Sequence, residues 1–289
     1  MSRDLVFAAL VLGLCGSAIW VAGWIGGLAT FADRPLGESG RAAERRSWRR
    51  VWSPLVPAAV ALAALCGWTN QEPRSTDELL RPMALLGLIP LALIWLRAAL
   101  RAARALAPPR VTPVAATVGL LRPRVVMDTG LRRCLERLPL DAALAHECAH
   151  AHHRDPLRIW LAQIGTDLQW PNPAAQRRFD RWAETLELAR DEEVRAGGVR
   201  GEDLAAALLA AVRLARGGVL AAAARLTGPE RALCERIDRL LHPLRAPAPV
   251  GRRWLLPLTL LTALTAAGAF GVVNGDLLVR ALPLITGVG

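Results

Sequence analysis

The stretch Leu140-Asp-Ala-Ala-Leu-Ala-His-Glu-Cys-Ala-His150 carries the strongest structural signal in this sequence. Asp141 follows a proline and can accept hydrogen bonds from the first free backbone N–H groups, which predicts a helix beginning there. On that helix His146 and His150 lie one turn apart on the same face, where both imidazoles can reach one zinc ion at about 2.0–2.1 Å. Glu147 lies beside them and can take a proton from a zinc-bound water without easily binding the metal itself.

The residues around these histidines are predicted to have other roles. Cys148 is two positions from His146, about 200° around the helix, so we expect it to face the core and not to bind metal. His152 and His153 fall off the ligand face and are expected at the surface. A solvated, histidine-rich patch is the alternative explanation of this run, and a third ligand elsewhere in the chain would separate the two.

The sequence offers such a ligand downstream. A long helix is predicted from Asn172 to about Ala196, where two glycines follow. Glu187 and Asp191 are four residues apart and share a face of it, so one can bind metal while the other orients a ligand histidine through its second ring nitrogen. An acidic helix face by itself is usually only a solvated surface. Because Glu187 follows His150 by 37 residues on a second helix, this face and the two histidines together predict a His, His, Glu zinc site.

The composition excludes several kinds of chemistry. The chain has 289 residues, 53% of them hydrophobic, and a net charge of +11 from 36 basic and 25 acidic residues. Every basic residue is arginine, and tyrosine is absent. The chain therefore has no Schiff-base lysine, no Walker lysine, no Ser-x-x-Lys nucleophile and no catalytic tyrosine.

The cysteines and the basic charge exclude further classes. The five cysteines are odd in number and lack a Cys-x-x-Cys pair, so we expect small buried residues in a reducing compartment, not disulfides or a thiolate zinc cluster. An isoelectric point of about 11.2 raises nucleic acid as a partner. The arginines lie mostly beside long apolar runs, as on the cytoplasmic side of membrane proteins, so no direct nucleic-acid binding is expected.

Four apolar segments are candidate membrane spans, because about 20 apolar residues are needed to cross about 30 Å of hydrocarbon. They are residues 5–31, 51–68, 82–100 and 253–273. The first is predicted to be a span and not a cleaved signal peptide, because the arginine cluster follows it. The fourth could instead be a buried core helix, but charged residues bound it and favour a span. Arg97 is expected to reach the interface from the third span.

The arginines between these segments predict the orientation of the chain. The connection at residues 32–50 carries six arginines, whereas residues 69–81 carry two together with three acidic residues. The first connection is therefore expected inside the cell. Residues 1–107 then form a membrane region of three spans with the N-terminus outside, residues 108–252 a cytoplasmic domain, and residues 274–289 a short tail outside.

The predicted cytoplasmic domain begins with a small β-structure. Residues 114–118 and 124–127 are rich in β-branched residues and are separated by a glycine and a proline, which predicts two short strands. Beyond them the pattern is helical. We therefore predict a mainly α, multi-span membrane protein with an α+β domain between its third and fourth spans.

Three runs of sequence resemble a known family, the membrane-embedded metallopeptidases of the BlaR and MecR type. They are residues 145–156, residues 170–173 and residues 187–194, and residues 119–126 are similar to the strand that precedes the zinc helix in that family. The resemblance covers most of residues 108–245.

This resemblance implies a gluzincin-like peptidase domain with one zinc ion per chain. By the same resemblance His146, His150 and Glu187 are the zinc ligands and Glu147 is the general base. The residues implied to support them are Asp191, which orients a ligand, and Asp155, which is structural.

The resemblance also implies a function. We expect an integral-membrane zinc endopeptidase of the plasma or inner membrane that cleaves a cytoplasmic protein, a transcriptional repressor being one candidate. Residues 111–127 resemble the edge strand on which such peptidases bind an extended substrate. The best-known family members carry an extracellular penicillin-binding domain after the last span, whereas about 16 residues follow Val273 in this sequence. A separate sensor protein or the spans themselves are therefore expected to receive the signal.

Other functions stay open on the sequence. The same metal site would serve a housekeeping protease of membrane quality control. A non-catalytic sensor or scaffold braced by zinc is a third possibility, although structural zinc sites are usually closed by four ligands that include cysteine. Homo-oligomers are also compatible with the sequence. The group that stabilises the oxyanion is undecided among His242, Arg190 and backbone N–H groups.

Overall fold

A computed structural model describes residues 3–28, 38–68, 88–107, 114–217, 230–243 and 262–273, and helices dominate it. The helices are α1 (Arg3–Leu10), α2 (Gly16–Leu28), α3 (Gly40–Trp52), α4 (Val56–Trp68), α5 (Ile89–Ala105), α6 (Thr129–Cys134), α7 (Arg137–His152), α8 (Asp155–Asp167), α9 (Pro173–Ala196), α10 (Gly201–Gly217), α11 (Glu230–Leu241) and α12 (Thr262–Val273). The strands are β1 (Ala115–Val118) and β2 (Arg124–Met127). A π-helical turn joins α1 to α2, and a 3₁₀ turn joins α3 to α4.

In the part of the chain that the structure describes, two helical stretches are long and apolar enough to cross a membrane. They are Phe7–Gly27, within the first predicted span, and Gly40–Gly67, which contains most of the second. Of the third predicted span, residues 82–87 lie outside the described residues, and α5 begins at Ile89. Of the fourth, residues 253–261 lie outside them, and α12 is shorter than a span.

The helix that contains the second predicted span begins before that span, because the arginine-rich segment that precedes it is also helical. The hydroxyl of Ser39 accepts a hydrogen bond from the backbone N–H of Ala42 and caps α3. Pro54 has no N–H to bond the carbonyl of Arg50, and the hydroxyl of Ser53 donates to that carbonyl instead at 3.2 Å. The helical direction therefore continues from α3 through the 3₁₀ turn into α4.

Helix α3 lies along α9. A Cβ at Gly40 would come within 2.7 Å of the backbone carbonyl carbon of Leu188, so only glycine allows this close approach. Trp182 on α9 is fully buried and packs against Trp48 on α3, with ring centroids 4.8 Å apart. Replacing a buried tryptophan by alanine typically costs about 3–5 kcal/mol, so this contact is a main anchor between the two helices.

The two predicted strands are confirmed and form an antiparallel hairpin. Ala115 pairs with Met127 and Val118 with Arg124. Gly119 begins the turn with φ of +95°, a conformation that favours glycine. The described part of the chain contains no third strand in this sheet, so one edge of β1 is not paired with a strand there.

Helix α7 differs from the sequence prediction at two points. It begins at Arg137 and not at Asp141, because Pro139 falls in its first turn, where no backbone N–H is needed for the helix. Cys148 is exposed, although we expected it to face the core. The buried residues of α7 include both His146 and His150, so its ligand face is also its core face and Cys148 on the far side faces outward.

The expectation that the cysteines are buried was also wrong. Only Cys15 is buried, and the other four cysteines are exposed.

Arg97, which we expected to reach the membrane interface, lies 3.1 Å from a carboxylate oxygen of Asp167 and 5.2 Å above the ring of Trp170. This arginine of the third predicted span thus forms an ion pair with α8.

Candidate metal centre

Helices α7 and α9 bring the three predicted ligands together. The Nε2 atoms of His146 and His150 are 3.1 Å apart. The Glu187 carboxylate lies 3.4 Å from the first of them through Oε2 and 3.6 Å from the second through Oε1. Ligand atoms at the corners of a tetrahedron around zinc are separated by roughly 3.3 Å, given bond lengths of about 2.0–2.1 Å. The donor set therefore fits one zinc ion.

The other nitrogen of each imidazole faces a carboxylate. Nδ1 of His150 lies 2.9 Å from Oδ2 of Asp155, at hydrogen-bond distance. Nδ1 of His146 lies 3.1 Å from Oδ1 of Asp191, at ion-pair distance. Carboxylates in these positions hold the imidazole proton on Nδ1 and leave the Nε2 lone pairs for a metal. Two facing Nε2 lone pairs at this distance would repel each other, and a cation between them, a proton or a metal ion, removes that repulsion.

The charges of the site are arranged to favour a cation at the histidines. Burial alone would raise the pKa of Glu187 and Asp191, but Arg236 and the histidines outweigh it and lower both. Burial would also lower the pKa of His150, but the Glu187 carboxylate and the Asp155 contact raise it to about 10. The surrounding carboxylates thus stabilise positive charge at the imidazoles, which a bound metal ion would satisfy.

Arg236 on α11 is a site residue that the sequence analysis missed. Its Nε and Nη2 donate to the two oxygens of Asp191 at 2.8 and 2.9 Å, and Nη1 lies 3.0 Å from Oε2 of Glu187. The side chain is buried, so these contacts hold both carboxylates of α9 in place. No motif in the sequence marks this arginine among the many others of the chain.

Asp155 at the start of α8 connects the site to helix α3. Its carboxylate accepts hydrogen bonds from Arg190 at 2.6 and 3.0 Å and from Arg158 at 3.0 Å, besides its contact with His150. Arg158 also binds the carboxylate of Glu44 on α3. Asp155 is fully buried, and these partners hold its pKa well below the usual range. Asp155, predicted to be structural, therefore contacts a candidate ligand histidine.

The two side chains considered as oxyanion donors from the sequence do not line the cavity of the site. The guanidinium of Arg190 is engaged by Asp155 and Glu193. His242 is exposed, and its Nδ1 lies 3.1 Å from a carboxylate oxygen of Asp238. Within the described residues, Arg236 is the arginine that lines the cavity.

Glu147 faces the cavity of the site and is held by the hairpin. The hydroxyl of Thr117 on β1 lies 3.0 Å from Oε2 of Glu147 and 2.7 Å from its backbone carbonyl oxygen. The cavity has a volume of about 230 Å³ and is lined by Glu147 and all three candidate ligands. Its apolar wall comes from β1, α6, α7, α8 and α10 and includes Ala115, Ala116, Leu131, Ala143, Ile159 and Leu208.

The remaining histidines of the motif lie where the sequence predicted them. His152 and His153 are exposed, and His153 lies 2.9 Å from the Glu193 carboxylate.

Comparison of the chain with protein-family models, with curated proteins and with solved structures finds no match.

Proposed function

We propose that this protein is an integral-membrane zinc endopeptidase of the BlaR and MecR type. One observation supports the proposal above all. The Nε2 atoms of the two histidines and the Glu187 carboxylate lie 3.1–3.6 Å apart, close to the ligand separation around a tetrahedral zinc ion, and Glu147 lines the same cavity. Zinc in such a site supplies a Lewis acid that lowers the pKa of a coordinated water.

Three features of the chain's own residues serve peptide hydrolysis. Glu147 faces the cavity as the acceptor for a proton, and Thr117 fixes the direction of its carboxylate. The edge of β1 that has no partner strand in the described residues offers backbone hydrogen bonds to an extended peptide without demanding a particular sequence. The apolar cavity wall favours a substrate side chain that is itself apolar.

A catalytic role is favoured over a structural one by the make-up of the site. Structural zinc sites are closed by four protein ligands that usually include cysteine. In the described residues the candidate group is His146, His150 and Glu187, and it opens on a cavity. A zinc-braced sensor or scaffold is the second candidate, and zinc binding without peptide cleavage would favour it.

We place the metal centre on the cytoplasmic side of a multi-pass membrane protein. Two helices that could span a membrane support this placement, together with the contact between α3 and α9. That contact puts the arginine-rich segment beside the metal domain, and arginine-rich connections are retained in the cytoplasm. Four spans and an outside N-terminus complete the proposed topology.

The proposed substrate is a cytoplasmic protein segment in extended conformation. A transcriptional repressor cleaved in a signalling pathway is the leading candidate, with a separate sensor protein or a second copy of the chain as the source of the signal. Degradation of misfolded membrane proteins by the same centre is the alternative. A substrate identified by cleavage in cells would distinguish the two.

The proposal is tested on full-length protein purified in detergent, with metal content and cleavage of a peptide library as the two measurements. We expect about one zinc per chain, lost in His150→Ala and kept in Glu147→Gln, and cleavage lost in both variants. General acid–base groups typically contribute about 10²–10⁴-fold to the rate. Retained cleavage in Glu147→Gln would refute the assigned base, and an absence of zinc in the wild type would refute the proposal.

A further inference from the structure

A second pocket lies where the ends of α2 and α3 meet the beginning of α9. Its volume is about 60 Å³, room for a group of a few heavy atoms, because a single water needs roughly 10–15 Å³. Among the described residues, four arginines line it and no acidic residue does. They are Arg50 on α3 and Arg177, Arg178 and Arg181 on α9.

Arg178 is the most unusual of these side chains. It is only 5% exposed, and its Nε has no hydrogen-bond acceptor. Its other donors contact neutral oxygens, the backbone carbonyl of Gly23 and the side-chain carbonyl of Gln169. Among the described residues no carboxylate lies within ion-pair distance of it, and burial lowers its pKa. A buried cation without a counter-charge is expensive, so an anion that enters this pocket would be strongly favoured.

The neighbouring arginines add positive charge to the pocket and so favour a bound anion further. Arg50 is half-buried and Arg177 is exposed, and neither side chain has an ion pair within the described residues. Several guanidinium groups around one small space repel one another, and a guanidinium presents a planar fork of donors that matches phosphate oxygens. The pocket therefore has the charge and the donor geometry of a phosphate site.

The position of the pocket indicates where the phosphate comes from. Gly27, which lines it, is the last residue of the candidate span Phe7–Gly27. Arg50 directly precedes Val51, where the helix Gly40–Gly67 becomes apolar. A Cβ at Gly27 would come within 2.9 Å of the Cβ of Ala174, so α2 approaches α9 closely beside the pocket. The apolar parts of both candidate spans thus end beside the pocket. In a membrane, this places the pocket at the depth of the phospholipid headgroups.

We infer that this pocket binds a phosphate group, with Arg178 as its buried ligand and Arg50 and Arg177 as its outer ones. A phospholipid headgroup is the source that its position favours, and soluble phosphate would meet the same donors. The site is separate from the metal centre, so the inference stands or falls without the proposed peptidase activity.

The test uses full-length protein in a neutral detergent, with the unfolding midpoint Tm followed by tryptophan fluorescence. Three additives are compared: phosphatidylglycerol, diacylglycerol, which lacks the phosphate, and inorganic phosphate. Phosphatidylglycerol at about ten times its Kd should raise Tm by roughly 3–5 °C, and diacylglycerol should not raise it. A similar rise with inorganic phosphate would make a soluble anion sufficient.

Arginine variants separate this pocket from general attraction of a basic protein to anionic lipid. The double variant Arg50→Gln, Arg177→Gln changes exposed and half-buried side chains and should fold, and it should weaken lipid binding at least tenfold. Arg178→Gln should do the same. Arg132→Gln, Arg137→Gln removes the same charge from exposed positions on α6 and α7 and should leave binding unchanged. Equal binding by the two double variants, or no effect of either phosphate compound, would overturn the inference.

Discussion

The two ends of helix α9 treat buried charge in opposite ways. Toward its C-terminus, Glu187 and Asp191 are both held by Arg236 and face the candidate ligand histidines. Near its N-terminus, Arg178 is buried beside further arginines without a carboxylate among the described residues. The first end is a network of compensating charges built around one place for a cation. The second end has, among the described residues that line its pocket, charges of one sign only, with a small space beside them.

The first end is a site whose buried charges are already paired, and the second is a site whose buried charge is available to pair with a ligand. In a compensated network, each partner stabilises the next, and the loss of one leaves a buried charge exposed to the apolar interior. Where a buried charge has no counter-charge, a bound ligand can supply one. Removal of the charged side chain then removes the free-energy cost of burying it. The two ends should therefore respond to neutralising substitutions with opposite signs.

The largest expected effect is at Arg236. Arg236→Met leaves the carboxylates of Glu187 and Asp191 without their cation, and removal of one partner from a buried pair typically costs about 3–5 kcal/mol. We expect a lower Tm in the metal-free protein and a loss of zinc affinity of at least tenfold. Thermal unfolding and competition with a chelator measure the two effects.

The matched control is Arg231→Met, which removes an exposed arginine from the same helix. It should leave both Tm and zinc affinity close to those of the wild type. If Arg236→Met behaved like Arg231→Met, the network around the carboxylates would have no role in holding the metal.

A smaller effect is expected at Asp155. Asp155→Asn keeps the shape of the side chain but weakens its contacts with His150, Arg190 and Arg158. Loss of a partner that orients a ligand histidine typically lowers metal affinity about 10–100-fold. Zinc competition measures the change, and Asp141→Asn on the exposed side of α7 is the control. Unchanged affinity in Asp155→Asn would show that His150 needs no support from α8.

The contrast also shows what the sequence could predict. The candidate ligands His146 and His150 were recognisable because they lie one helical turn apart, with Glu147 beside them. Glu187 was recognisable because it lies one turn from Asp191 on a second predicted helix. The hairpin followed from β-branched residues around a turn. These signals are local, so they survive in a single sequence.

The parts that sequence reasoning missed depend on contacts between distant segments. Arg236 lies 45 residues from Asp191, and Glu44 lies 114 residues from Arg158. Among 36 basic residues, all arginines, nothing local distinguishes the few that are buried. The exposed Cys148 was mispredicted for a related reason: only the packing of α7 shows that its ligand face is also its core face.

A third prediction concerns the link between the metal centre and helix α3. Glu44→Gln weakens the contact with Arg158, but Arg158 keeps its bond to Asp155. We therefore expect a loss of about 1 kcal/mol, near the value of one hydrogen bond, and less than a threefold change in zinc affinity. Glu202→Gln, at an exposed position, is the control for Tm. A tenfold loss of zinc affinity in Glu44→Gln would instead make α3 part of the support of the metal centre.

The smallest effect, and the one with the opposite sign, is expected at Arg178. Arg178→Met replaces a buried, uncompensated cation by an apolar side chain of similar length, and such replacements of buried charge are often neutral or stabilising. In lipid-free detergent we expect Tm to be unchanged or raised by roughly 1–3 °C. Adding phosphatidylglycerol should then raise the Tm of the wild type and not that of the variant. A Tm well below wild type in both conditions would mean that the bonds to Gly23 and Gln169 already compensate the guanidinium, and the two ends of α9 would then differ less than their charges indicate.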